Sequence, residues 1–331
     1  MNLDTPFTRT TGVTLPIIGG PMYPCSNPEL VAAVSEAGGL GVVQPVSLTY
    51  VHGHDFRAGL RKIRAATARP IGFNALIEAS SRTYQERMVK WVAIALEEGV
   101  RFFVTSLGNP RWVVDAVQPS GGIVYHDVTE RKWALKARDA GVHGLIAVNR
   151  RAGGHAGALT PEALFNDLGD MNLPLICAGG IGGEQEFIAA LRLGYAGVQL
   201  GTRLIATTEC TASEPYKQAI LKADESDIVL TERLSGVPVA VIRTPYIDRI
   251  GTTIGPLARR LFRGRRTKKW IRSFFALRAA WDLKRTSIRG GARADDPSRA
   301  IWQAGRSVAA IDAIEPVAHI FDRFARAARN A

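Results

Sequence analysis

The amino-acid sequence predicts a (β/α)8 TIM barrel that carries a basic, helical insertion towards its C-terminus. Three observations point there. Short, nearly all-apolar runs recur along the chain, helical stretches alternate with them, and those stretches repeatedly close on a glycine just before the next run. Apolar runs without alternation read as strands buried on both faces of a parallel sheet. A glycine past a helix end supplies the left-handed residue that closes it.

Taken in order, Leu15–Gly20 feeds a helix starting near Asn27. Ala37-Gly38-Gly39 leads into Leu40–Gln44 and a helix near Asp55, and Pro70–Leu76 leads to one near Thr83. Glu97-Glu98-Gly99 precedes Phe102–Ser106, whose helix near Pro110 is short, and Gly122–His126 is followed by one near Thr129. Asp139-Ala140-Gly141 opens Leu145–Asn149 and a helix near Thr160, while Pro174–Ala178 leads to one near Glu184. Arg192-Leu193-Gly194 precedes Gly197–Gly201, and the last helix starts near Ser213. Eight parallel strands alternating with helices favour a closed barrel over an open sheet. A doubly wound sheet is the alternative, weakened because no Gly-x-Gly-x-x-Gly follows the first strand.

Composition bounds the rest. The chain has 331 residues, 46% hydrophobic and 22% charged, enough for a sizeable core and unlike a disordered chain. The predicted division is a barrel over 1–250, a basic helical insertion or lid over 251–300, and a segment over 301–331 that returns to the barrel. Cys25, Cys177 and Cys210 have no metal-ligand spacing, which fits a reducing compartment. The N-terminus lacks the basic and apolar regions of a signal peptide, and no apolar run suits a membrane span, so a cytoplasmic protein is expected. The net charge of +12 is local. Leu257–Arg293 holds thirteen Lys or Arg and one acid, Asp282, leaving 29 basic and 29 acidic residues elsewhere.

Barrel chemistry sits at the carboxyl ends of the strands. Those ends read Pro21-Met22, Gln44-Pro45, Asn74, Thr105-Ser106, His126-Asp127, Asn149 through His155, Ala178-Gly179-Gly180-Ile181 and Gly201-Thr202-Arg203. The last two follow strands seven and eight, the usual phosphate position of a barrel. Gly179 and Gly180 would offer backbone amides without obstruction, and Thr202 a hydroxyl. Ala152-Gly153-Gly154-His155-Ala156-Gly157 is a glycine-rich turn presenting one imidazole, a group suited to proton transfer near neutral pH.

Leu15–Met22, Gly72-Phe73-Asn74, Ala152–Gly157, Ala178–Ile181 and Gly201–Thr207 together resemble the nitronate monooxygenase family, formerly called 2-nitropropane dioxygenase. The resemblance runs from about Thr5 to Asp248 and resumes at Ile301–Ala310. It implies an FMN barrel in which Pro21, Met22 and Asn74 line the isoalloxazine. The Gly153-Gly154 turn and Ala178 would border the cofactor, and Gly179-Gly180 with Gly201-Thr202 would hold its phosphate. His155 falls on the family's active-site histidine, which takes the α-proton of a nitroalkane or stabilises the nitronate before reaction with O₂. Flavin-dependent NAD(P)H:quinone reductases and an enoyl-acyl-carrier-protein reductase are relatives, so quinone, an enoyl thioester and NAD(P)H are the alternative reactants. A flavin-binding, membrane-associated module is the non-enzymatic alternative.

Two positions depart from the family pattern. Asn149-Arg150-Arg151 replaces a glycine and a glutamate; two cations at the mouth would favour an anionic substrate and lower the histidine pKa by like-charge repulsion, or equally would point to solvent, the commoner fate of surface arginines. Asp127 stands where relatives often have Lys, Ser or Thr. A carboxylate beside the flavin pyrimidine would oppose an anionic reduced flavin, so Asp127 is expected to stand away from the ring. In the insertion, Trp270, Phe274, Leu277 and Trp281 share one face of a helix over 268–281. That face reads first as a lid packed on the barrel and second as a contact for membrane or an acidic partner. Nucleic acid is not expected, because the patch is local and belongs to no binding module.

Overall fold

A computed structural model describes residues 1–78, 82–234, 236–255, 278, 280–294 and 296–331. Eight parallel strands close on themselves in sequence order, which excludes the doubly wound alternative. They are β1 (Ile17–Gly19), β2 (Leu40–Val43), β3 (Ile71–Leu76), β4 (Phe102–Ser106), β5 (Ile123–Val128), β6 (Gly144–Val148), β7 (Leu175–Ala178) and β8 (Gly197–Leu200). Closure is made by β1 against β8, with Ile17 opposite Val198 and Gly19 opposite Leu200. Every strand lies within two residues of its predicted run, because burial on both faces leaves an unambiguous apolar signature.

A short helix, α1 (Pro6–Thr11), closes the amino end of the barrel. Its Phe7 is fully buried and meets Phe102 edge to face at 5.8 Å. The outer helices are α2 (Pro28–Glu36), α3 (Phe56–Ala66), α4 (Arg82–Glu97), α5 (Arg111–Val117), α6 (Arg131–Asp139), α7 (Pro161–Leu168) and α8 (Glu184–Leu193). Gly38, Gly99, Gly141 and Gly194, four of the glycines that mark helix ends in the sequence, all take positive φ.

The eighth helix of the ring is a correction. The helix predicted near Ser213 exists as α10 (Glu214–Lys222), after the single-turn α9 (Thr202–Ile205), but it does not close the ring. The C-terminal helix Val317–Asn330 does, packing between α8 and α2, with Phe324 stacked on Phe187 at 5.2 Å. Between them the chain builds a cap outside the barrel. The cap contains the antiparallel pair β9 (Ile228–Thr231) and β10 (Val239–Ile242), which lie within the range expected to be barrel. The returning segment is locked by Arg203, whose fully buried guanidinium donates to the Ala313 carbonyl at 2.8 Å and to the Glu315 carboxylate at 3.2 Å. Removing one partner of such a buried pair leaves an uncompensated charge.

Most of the predicted basic helix lies outside the described residues. Of its apolar face only Trp281 is described, and it is 57% exposed, with the Arg285 guanidinium 4.2 Å from its ring centroid. The second half of the insertion is tied to the barrel top. Tyr23 donates its hydroxyl to Ala280 O, Trp302 Nε1 donates to Thr286 O, and Ser213 N donates to Ser287 O. Among the described residues, no helix is long and apolar enough to cross a membrane.

Candidate active site

The carboxyl ends of the strands open into a cavity of about 1370 Å³. All eleven residues named from the sequence border it: Pro21, Met22, Asn74, Gly153, Gly154, His155, Ala178, Gly179, Gly180, Gly201 and Thr202. They come from five strand ends, and the barrel alone brings them together.

The loop after β6 is built by Asn149. Its buried amide donates to Gly179 O at 2.9 Å, and its Oδ1 accepts from Arg151 N at 2.8 Å, tying the ends of β6 and β7. Gly154 then pairs with Ala240 of β10, and Arg151 O accepts from Arg306 N. A Cβ on Gly153 would lie 2.8 Å from Gly305 N, so this loop is clamped between the hairpin and the returning segment. His155 is carried at its tip. His155 is exposed towards the cavity, and desolvation by the protein around it lowers its pKa below 6.5. The cause is burial, and repulsion from Arg150 and Arg151, one of the two alternatives expected for them, plays no part in it. Arg150 is exposed and does not border the cavity, whereas Arg151 does and pairs with Glu225.

Gly179 and Gly180 both take positive φ, +114° and +82°. A side chain is also excluded by packing: a Cβ would fall 2.5 Å from Ala152 N at the first and 2.7 Å from Arg151 Nε at the second. Thr202 is buried, and its Oγ1 accepts from Gly305 N at 2.9 Å. Asn74 is held by donation from Nδ2 to Val104 O at 3.2 Å.

Asp127 lines the cavity as well. Its Oδ1 is buried without a hydrogen-bond partner, and burial pushes the carboxyl up to about 7. Next to it the buried His126 is pushed down to about 4 by the same cause, with Nδ1 2.8 Å from Thr105 Oγ1. His126 is therefore neutral near pH 7, and Asp127 is about half protonated there. The conflict foreseen for a carboxylate beside a reduced flavin is reduced in part by this protonation, with the side chain still on the cavity wall.

Among the wall residues not singled out in the sequence are Gln199, Tyr216 and Leu283. Gln199 had a signal, a lone polar residue inside the apolar strand β8. Tyr216, which stacks on Trp302 at 5.6 Å, and Leu283 had none, because only the cap places them over the barrel.

The nitronate monooxygenase model matches residues 4–325. The chain belongs to this family. It is accordingly an enzyme, a flavin-dependent oxidoreductase. A nitronate monooxygenase of Pseudomonas aeruginosa is 29% identical over 273 residues, covering 70% of this chain and 77% of that protein. The (3aS,4S,5R,7aS)-5-hydroxy-7a-methyl-1-oxo-octahydro-1H-indene-4-carboxyl-CoA dehydrogenase of Mycobacterium tuberculosis is 29% identical over 254 residues, covering 76% and 69%. Among solved structures, FabK from Thermotoga maritima superposes with a TM-score of 0.80 at 28% identity, over 99% of this chain and 97% of that one. The relatives of this chain thus include both a nitronate monooxygenase and a carboxyl-CoA dehydrogenase.

The wall suits a flavin. Arg151 Nε, Gln199 Oε1 and Asp127 Oδ1 are buried, have no hydrogen-bond partner among the described residues, and belong to residues that border the same cavity. Buried polar atoms are normally paired, so three orphans around one space point to a polar ligand.

Proposed function

We propose that this chain holds FMN across the top of the barrel and oxidises alkyl nitronates with dioxygen. The observation that carries the reading is the set of three orphaned polar atoms around the cavity that His155 faces. Gly179-Gly180 and Gly201-Thr202 would hold the phosphate, and Pro21, Met22 and Asn74 would line the ring. Gly153, Gly154 and Ala178 complete the wall. When bound, the flavin supplies the two-electron redox chemistry, and the protein supplies orientation and proton handling. His155, neutral at pH 7, is in the state that accepts the α-proton of a nitroalkane or, once protonated, pairs with a nitronate.

The test is anaerobic. Purified protein is expected to be yellow and to release FMN, not FAD, on denaturation. Bleaching by an alkyl nitronate, with slower bleaching by NADH or NADPH, supports this reading. Bleaching by the nicotinamides alone replaces it with a reductase.

A second reading is redox chemistry on a thioester. It is favoured by the cavity, which at about 1370 Å³ exceeds the roughly 300–1,000 Å³ of ordinary ligand pockets. The carboxyl-CoA dehydrogenase relative supports it too. An α-proton beside a thioester carbonyl poses the same task for His155.

A further inference from the structure

The cavity does not stop at the barrel axis. Its lining also includes Arg111 of α5 and Trp133, Lys136 and Asp139 of α6. Trp133 is 42% exposed, a large apolar ring left open beside a deep cavity. The ammonium groups of Lys132 and Lys136 each lie 4.8 Å from its ring centroid, attracted by the ring quadrupole.

The charges nearby are largely committed. Arg138 pairs with Asp139 at 3.4 Å, Arg131 pairs with Asp170 at 2.6 Å, and Arg111 donates to Asp139 O. Among the described residues, Lys132 and Lys136 have no ion pair. Trp133 and Lys136 on the cavity wall, with Lys132 beside the same ring, are a donor set for a phosphorylated purine: the indole stacks on the base and the lysines swing to the phosphates.

We propose that Lys132, Trp133 and Lys136 bind the adenosine-phosphate end of a long co-substrate whose reactive end reaches the His155 end of the same cavity. The site goes beyond the nitronate reading, since a nitronate has nothing to place on this rim. Two co-substrates carry such an end: coenzyme A thioesters, with a 3′-phosphate, and NADPH, with a 2′-phosphate.

Titration of the flavin-loaded protein with 3′,5′-ADP and with 2′,5′-ADP, followed by calorimetry, tests the site without turnover. At least one should bind, less tightly as salt rises. The Lys132→Gln/Lys136→Gln double variant should weaken binding by about tenfold or more, as should Trp133→Ala, with flavin content and melting temperature unchanged. Preference for 3′,5′-ADP assigns the thioester and preference for 2′,5′-ADP the nicotinamide. The proposal is overturned if neither nucleotide binds, if the variants bind as the native protein does, or if inorganic phosphate binds as tightly. Each of these outcomes is independent of whether nitronates reduce the flavin.

Discussion

The hydroxyl of Thr202 accepts a hydrogen bond from the backbone N–H of Gly305 at 2.9 Å, joining the turn after the last barrel strand to a segment 103 residues later. The bond is buried, so the cap is fastened to the turn proposed to hold the flavin phosphate.

Thr202→Ala would leave the Gly305 N–H unpaired. A loss of about 1–3 kcal/mol is expected in urea denaturation of the flavin-free protein, together with faster flavin release. Thr202→Ser should restore both. Equal stability of the Ala and Ser variants would show that the bond contributes nothing to the fold. Thr202 is a cleaner probe than Gly180, where any side chain also meets Arg151.

His155→Ala should keep its flavin and lose little stability, because the residue is exposed on a loop that borders the cavity. Turnover of a neutral nitroalkane should fall by roughly 10²–10⁴-fold, and turnover of the preformed nitronate much less. Since the folded pKa is lowered, native kcat/KM for the nitroalkane should rise with pH through a midpoint below 6.5 and then stay level. A midpoint above 6.5 would assign the titration to another group.

Asp127 makes stability depend on pH in a defined direction. Its carboxyl is raised from 3.8 to about 7 on folding, so between those values the native state binds a proton that the unfolded chain does not. Stability should therefore fall as pH rises from about 4 to about 7. Asp127→Asn, neutral throughout, should remove part of that slope. A difference of roughly 1–2 kcal/mol across the window is expected, below the ~4 kcal/mol of the full shift because the cavity is open. Parallel slopes for the two proteins would refute the assignment.

Deletions separate the two halves of the insertion. Removing all of Leu257–Arg293 looks harmless from the sequence, which resembles the family on either side of it. In the structure Leu283 borders the cavity, and residues 280–289 hydrogen-bond to the barrel top. Excising 257–277 should leave a folded, yellow protein, whereas excision through 293 should lower flavin retention and melting temperature. Absorbance of the purified proteins and thermal denaturation distinguish the two outcomes.

The sequence by itself determined the eight strands and the loops that carry His155, Gly179-Gly180 and Thr202. Their signals are local: apolar runs buried on both faces, and glycines where the chain turns. Only the tertiary structure decided that the C-terminal helix, and not α10, completes the ring. Several amphipathic helices compete for that one position, and packing against α2 and α8 selects among them. Likewise, the raised pKa of Asp127 and the lowered pKa of His155 come from cavity walls contributed by distant segments. Desolvation depends on what surrounds a group in space, and no local pattern along the chain encodes it.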